Sequence, residues 1–162
     1  MKLSREYLLL FLGLLLAMLL SVMPLPDTLS MARPAWVLLV LTAWVYRNNE
    51  VDVLVPAFIV GLALDALFNA VLGAHGLALV VSLAVTLRLR VLLRTLILWQ
   101  AMLVMLPILV INTLLLHWLD GLSGHSTELS ARWWPVLSSF LLWPLVVLLH
   151  RRTRNESSAS QV

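Results

Sequence analysis

The feature that most limits how this chain can fold is the length of its apolar runs. Leu-rich stretches at about 7–24, 34–46, 51–71, 75–93, 95–118 and 133–150 follow one another across short polar gaps. A helix needs about 20 apolar residues to cross about 30 Å of hydrocarbon, and most of these runs approach that length. They lack the period-two alternation of strands, and an open sheet within lipid would leave backbone groups unpaired at high cost. The pattern predicts an all-α polytopic membrane protein with about six transmembrane helices, forming a single integral membrane domain over 1–162. Composition points the same way. Apolar residues make up 62% and charged residues 12%, against about 45–50% and about 25% in soluble domains. That leaves too little polar surface to coat a globule in water, and the mean hydropathy is +1.00.

Two runs need separate argument. The first has a signal-peptide look, with Lys2 and Arg5 ahead of an apolar stretch from Tyr7 to Met23. It ends in Met23-Pro24-Leu25-Pro26-Asp27, without a small-x-small cleavage site, and is read as a retained span. The second is short. Ala35 to Tyr46 covers twelve residues, or roughly 18 Å. It crosses straight only if Leu29 to Pro34 also enters the membrane or the bilayer thins. Pro34 suits a first helical turn, and Trp36 and Tyr46 would mark opposite interfaces. The competing reading is a re-entrant or interfacial segment.

Six spans place both termini on one side. With the termini in the cytoplasm, Lys2, Arg5, Arg47, Arg88, Arg90, Arg94, Arg151, Arg152 and Arg154 are cytoplasmic, and Arg33 and Arg132 lie outside. Nine against two, in short loops, is the asymmetry of the positive-inside rule. The net charge of +3 is therefore topological, and no nucleic-acid partner is implied. The outer loops, 25–33, about 71–74 and 119–132, are too short to be domains. The polar tail 153–162 is expected to be disordered.

Chemistry is sparse. The chain has no cysteine, which excludes a thiol nucleophile and thiolate metal sites. His75 and His117 fall near the outer boundary, His125 in a loop and His150 at the cytoplasmic end, with no metal-ligand spacing among them. Ser123, Ser126 or Ser130 with His125 and Asp120 make a triad only on paper, since no G-x-S-x-G is present. No catalytic residue, metal or cofactor is assigned. Most of the seven tryptophans read as interface anchors, and Pro107 and Pro144 as helix kinks.

Asp65 stands out. It lies in an apolar helix, where an ionisable group is costly and normally faces the bundle interior, a cavity or a partner. Counted from Val51 it is roughly 21 Å along the axis, in the outer half of the membrane. Gly61, Asp65 and Asn69 are spaced i, i+4, i+8 and share a face. Gly61 permits close helix approach, and Asp65 and Asn69 can hydrogen-bond across it. Asn112, Ser138, Ser139 and Arg33 reach similar depth. The expected partner of Asp65 is Arg33 or Asn112. A relay or substrate site is the functional reading, and an interhelical polar clamp the structural one. The clamp is favoured because no second intramembrane acid is present.

Several stretches together resemble the MreD family of bacterial rod-shape determinants. They are Met23-Pro24-Leu25-Pro26-Asp27, Arg33-Pro34-Ala35-Trp36, Gly61-Leu62-Ala63-Leu64-Asp65 with Leu72-Gly73 behind it, Trp99-Gln100, and Leu142-Trp143-Pro144. Asn69-Ala70-Val71 departs from the Gly-Ser-Thr-like stretch common in the family. The resemblance implies a non-enzymatic component of the cell-elongation complex in the inner membrane. Its implied partners are MreC, MreB, a RodA-type glycosyltransferase and the paired transpeptidase, within membrane lipid. It also implies a fold similar to the substrate-binding subunits of energy-coupling-factor transporters. Pro24, Pro26, Asp27, Arg33, Pro34, Trp36, Gly61 and Asp65 are the positions it carries over, and Asn69, Asn112, Trp143 and Pro144 join them as candidates for structural or docking roles.

Three functions compete. A scaffold that binds a partner's transmembrane helix predicts an internally satisfied polar network, a lipid-facing groove and no deep solvated cavity. The alternative, a small-molecule-binding membrane subunit of a transporter, predicts an outward pocket lined by Asp65, Asn69, Asn112 and tryptophans. An embedded enzyme lacks its catalytic pairs. The scaffold is preferred.

Overall fold

The computed structural model describes residues 2–23, 33–47, 53–122 and 133–159. Among them the chain is helical, without strands: α1 (Lys2–Val22), α2 (Trp36–Arg47), α3 (Leu54–Phe68), α4 (Ala74–Thr95), α5 (Leu98–Leu122) and α6 (Trp133–Ala159). The hydropathic runs and the helices coincide in order, and the differences lie at the ends. Helix α3 stops at Phe68 because Asn69 takes a left-handed conformation, with φ 51°. Helix α6 continues to Ala159, so residues 153–159, expected to be disordered, extend the helix instead. Extension of an existing helix is far cheaper than nucleation, and Arg151, Arg152 and Arg154 are good helix formers.

The short α2 is the centre of the bundle. It packs against α1, α4 and α6. Val37, Leu38, Leu39, Leu41, Thr42, Ala43, Trp44 and Val45 are all buried. A helix that is apolar all round belongs in an interior. Protein therefore surrounds α2 on most sides. Thr42 satisfies its hydroxyl locally, donating to the Leu38 carbonyl at 2.8 Å. The start of α2 is tied to α6: Ser139, fully buried, accepts the Ala35 N–H at 2.9 Å.

The outside of the bundle is apolar. Along α1, Leu10, Leu14, Ala17 and Ser21 face inward, while Leu8, Phe11 and Leu19 stand outward at 56%, 61% and 61% exposure. Val91 and Leu141 do the same on α4 and α6. A water-soluble monomer rarely leaves so much contiguous apolar surface uncovered. Ala74–Leu93 and Trp99–Leu122 are long and apolar enough to cross a membrane, and four further apolar helical stretches of 10–17 residues accompany them among the described residues.

The tryptophans divide. Trp99, Trp118, Trp133 and Trp134 are exposed, while Trp44 and Trp143 are buried in the core at 2% and 0%. Interface anchoring thus does not describe Trp44 or Trp143. Helices α4 and α5 meet at an extended residue, Leu96. The Gln100 side chain reaches back to accept the Ile97 N–H at 3.3 Å. That is one half of a capping box at the start of α5.

Candidate functional site

The site is built on the stripe of α3 that faces α4. Ala57, Gly61, Leu64 and Asp65 are its buried residues. A Cβ placed on Gly61 would fall on the backbone of Gly76 and 2.9 Å from the carbonyl carbon of His75. Backbone therefore meets backbone at this crossing, which is how small residues bring membrane helices together. Past it, five residues reverse the chain, Asn69 to Gly73. Asn69 and Gly73 are its two left-handed residues, with φ of 51° and 96°. The Asp65 carbonyl accepts the N–H groups of Asn69 and Ala70, closing the end of α3.

The side chain of Asp65 closes the start of α4. It is fully buried. Its Oδ2 accepts the Gly73 N–H at 2.7 Å, and its Oδ1 accepts the His75 N–H at 2.9 Å. These are two of the donors a helix N-terminus leaves unpaired, and the negative charge sits at the favourable end of the helix dipole. A third bond joins Oδ1 to the His75 ring Nδ1 at 2.7 Å. With the carboxylate ionised, Nδ1 is the donor and Nε2 keeps its lone pair. The Phe68 ring lies beside the imidazole, centroids 5.8 Å apart.

Neither expected partner reaches Asp65. The Arg33 guanidinium turns to α1, where Nη1 donates to the Ser21 carbonyl and Nη2 to the Met23 carbonyl at 3.0 Å. These carbonyls at a helix C-terminus are the acceptors a cation suits best. Asn112 is buried on α5 with its Oδ1 unpartnered. Asn69 is exposed at the C-cap rather than bonded across the helix face.

A cavity of about 180 Å³ adjoins the turn. Ser21 from α1, Arg33 ahead of α2, Trp36 from α2, Phe68 from α3, His75 from α4 and Asn112 from α5 line it. It differs from the pocket expected for a transporter subunit: Asn112 and Trp36 are present, Asp65 and Asn69 are not. Among the described residues no group of three or more His, Asp or Glu could hold a metal.

The family described as rod shape-determining protein MreD matches residues 1–153. The chain belongs to the MreD family. A rod shape-determining protein MreD of Haemophilus influenzae is 34% identical over 145 residues, covering 87% of this chain and 87% of that protein. No solved structure matches. MreD proteins are membrane-associated determinants of rod shape and not a known enzyme family, and this chain has a role in determining cell shape.

The positions carrying the MreD resemblance fall into separate places. Gly61, Asp65 and Gly73 form the α3–α4 turn. Arg33, Pro34 and Trp36 line the cavity at the head of α2. Trp143 is a core residue, and Pro144 follows it inside α6. Pro24, Pro26 and Asp27 lie outside the described residues. His75 and Gly76 were missed by sequence reasoning, as was Ser139 as the acceptor for α2. The signal for the first two was present: Gly73-Ala74-His75-Gly76 follows the reversal directly, with its two glycines bracketing the histidine.

Proposed function

We propose that this MreD chain is a non-enzymatic scaffold of the bacterial cell-elongation complex. In this reading its six helices cross the inner membrane with both termini in the cytoplasm. It binds the transmembrane helix of MreC and links it, with MreB, to the RodA-type glycosyltransferase and its transpeptidase. Candidate docking positions are those at the head of α2 and the exposed face of α1.

One observation carries the non-catalytic part. The intramembrane carboxylate, the strongest chemical candidate in the sequence, is fully buried and committed to three bonds within one turn. The carboxylate thus serves the fold, capping α4 and holding the His75 ring. The apolar exterior and the nine-to-two basic asymmetry support the membrane-spanning topology.

The test is copurification from native membranes of a rod-shaped host whose own gene for this protein is deleted. Recovery of an MreC-type protein, and restoration of rod shape, is the expected result. Restored shape without such a partner would overturn the scaffold reading. A copurifying soluble small molecule with an ATPase would favour the transporter subunit.

A further inference from the structure

The cavity beside the α3–α4 turn has polar atoms with nothing to bind. Asn112 is 6% exposed, and its Oδ1 is without a hydrogen-bond partner. The Arg33 Nε is buried and equally unpartnered, while the two terminal nitrogens of the same guanidinium are occupied. Both residues line the cavity. His75 lines it too, and its Nδ1 is engaged by Asp65. Its remaining polar atom is Nε2, an acceptor when Nδ1 carries the hydrogen. The site thus offers one buried donor, Arg33 Nε, one buried acceptor, Asn112 Oδ1, and the part-exposed His75 ring nitrogen. An unpaired buried polar group costs about 1–3 kcal/mol, and the two in this cavity, Arg33 Nε and Asn112 Oδ1, call for an occupant.

Water fits this poorly. At roughly 30 Å³ per molecule, 180 Å³ would hold on the order of six waters, each needing 2–4 polar partners. The remaining walls include Leu64, Leu79 and Leu116. A mostly apolar chamber with a small polar cluster suits an amphipathic occupant: an apolar body, and a head that both accepts and donates. The cavity also opens among helix ends, with Ser21, Phe68 and His75 all within two residues of an end of α1, α3 or α4. Lipid headgroups sit at that level.

We propose that this cavity is a binding site for a phospholipid whose headgroup carries an N–H donor, of the phosphatidylethanolamine class. A phosphate oxygen accepts from Arg33 Nε, a charge-assisted bond. The ammonium donates to Asn112 Oδ1 and His75 Nε2, and the acyl region lies along the leucines. A choline headgroup offers the same phosphate but no N–H, so the site discriminates between the two.

Native mass spectrometry of the purified, detergent-solubilised full chain tests this. The probes are phosphatidylethanolamine, phosphatidylcholine of the same acyl composition, and free phosphoethanolamine. The unsubstituted protein should retain the ethanolamine lipid at least about fivefold over the choline lipid, and should not retain the free headgroup. Asn112→Leu should erase that preference. Equal retention of both lipids, or of neither, overturns the proposal whether or not the variant folds. Tight binding of free phosphoethanolamine overturns it in favour of a soluble ligand. An unchanged preference in folded Asn112→Leu also refutes it.

Discussion

The Asp65 carboxylate binds His75 twice, through the backbone N–H at 2.9 Å and the ring Nδ1 at 2.7 Å. The two residues stand on either side of the reversal between α3 and α4. One acid therefore fixes both the geometry of the turn and the tautomer of the histidine. This is a covering of orphan donors by a side chain, made between two closely crossing apolar helices.

Removing the acid should destabilise the fold. Asp65→Ala leaves the Gly73 and His75 N–H groups buried without an acceptor, at a cost of about 2–4 kcal/mol. Asp65→Asn keeps one acceptor oxygen and should lose about half as much. The melting temperature of the detergent-solubilised protein is the readout. A clamp role is wrong if Asp65→Ala melts with the unsubstituted chain.

The glycines should rank by what their Cβ would meet. Gly61→Ala drives a methyl into the Gly76 backbone, so the two helices must separate. Gly76→Ala meets the edge of the half-exposed Phe58 ring at 3.1 Å, which can shift, and the Phe58 carbonyl oxygen at 3.3 Å, which must give by a few tenths of an ångström. Gly13→Ala approaches Val40 Cγ1 at 3.4 Å, an ordinary contact, and should gain up to about 1 kcal/mol of helix propensity. Fluorescence-detected size-exclusion profiles should show loss for the first, a mild effect for the second and none for the third. Any other order contradicts the crossing geometry.

Gly73 isolates backbone strain. Its φ is 96°, and a Cβ there meets nothing within 4 Å. Gly73→Ala should therefore cost about 1–2 kcal/mol through conformation alone. Asn69→Gly, at φ 51°, should be neutral or slightly stabilising. Comparable losses in both, measured by thermal unfolding, would mean that side-chain contacts govern the turn instead.

Arg33 holds the end of α1 with a fork. Arg33→Lys cannot span the Ser21 and Met23 carbonyls together, because an ammonium is a single point. Amide exchange at residues 20–23, followed by mass spectrometry, should quicken several-fold in Arg33→Lys and more in Arg33→Ala. Equal protection in all three proteins would show that the fork does not hold this end.

The order of the helices was legible in the sequence, because hydropathy sets the succession of runs and gaps; their ends were not, as Asn69 at the end of α3 shows. Gly61 was legible too, as a small residue on the face of an intramembrane acid. The partner of Asp65 was not. A search among side chains pointed to Arg33 and Asn112, yet two of the three donors are backbone N–H groups that every residue type carries. They come into reach only because Asn69 and Gly73 reverse the chain. Trp44 was not legible for a related reason: an aromatic near a helix end looks the same in sequence whether it faces headgroups or, as here, the core. The central position of α2, enclosed by α1, α4 and α6, was hidden by its shortness, which left a re-entrant or interfacial segment as the competing reading.

That enclosure bears on biogenesis. Helix α2 is 12 residues long, and α4 and α6, two of its three walls, are synthesised after it. A segment of that length gains too little from lipid alone to be held in place. Until α4 and α6 have followed it, α2 can pack only against α1, so the nascent chain carries it partly housed for much of translation. The absence of native cysteine makes this directly measurable. A cysteine at Thr42 should react with a water-soluble thiol reagent in chains truncated after α3, and should be silent in the complete protein. Equal silence in both would mean that α2 seats itself unaided. Reaction in the truncated chain would mean that α2 settles late, after helices made well behind it.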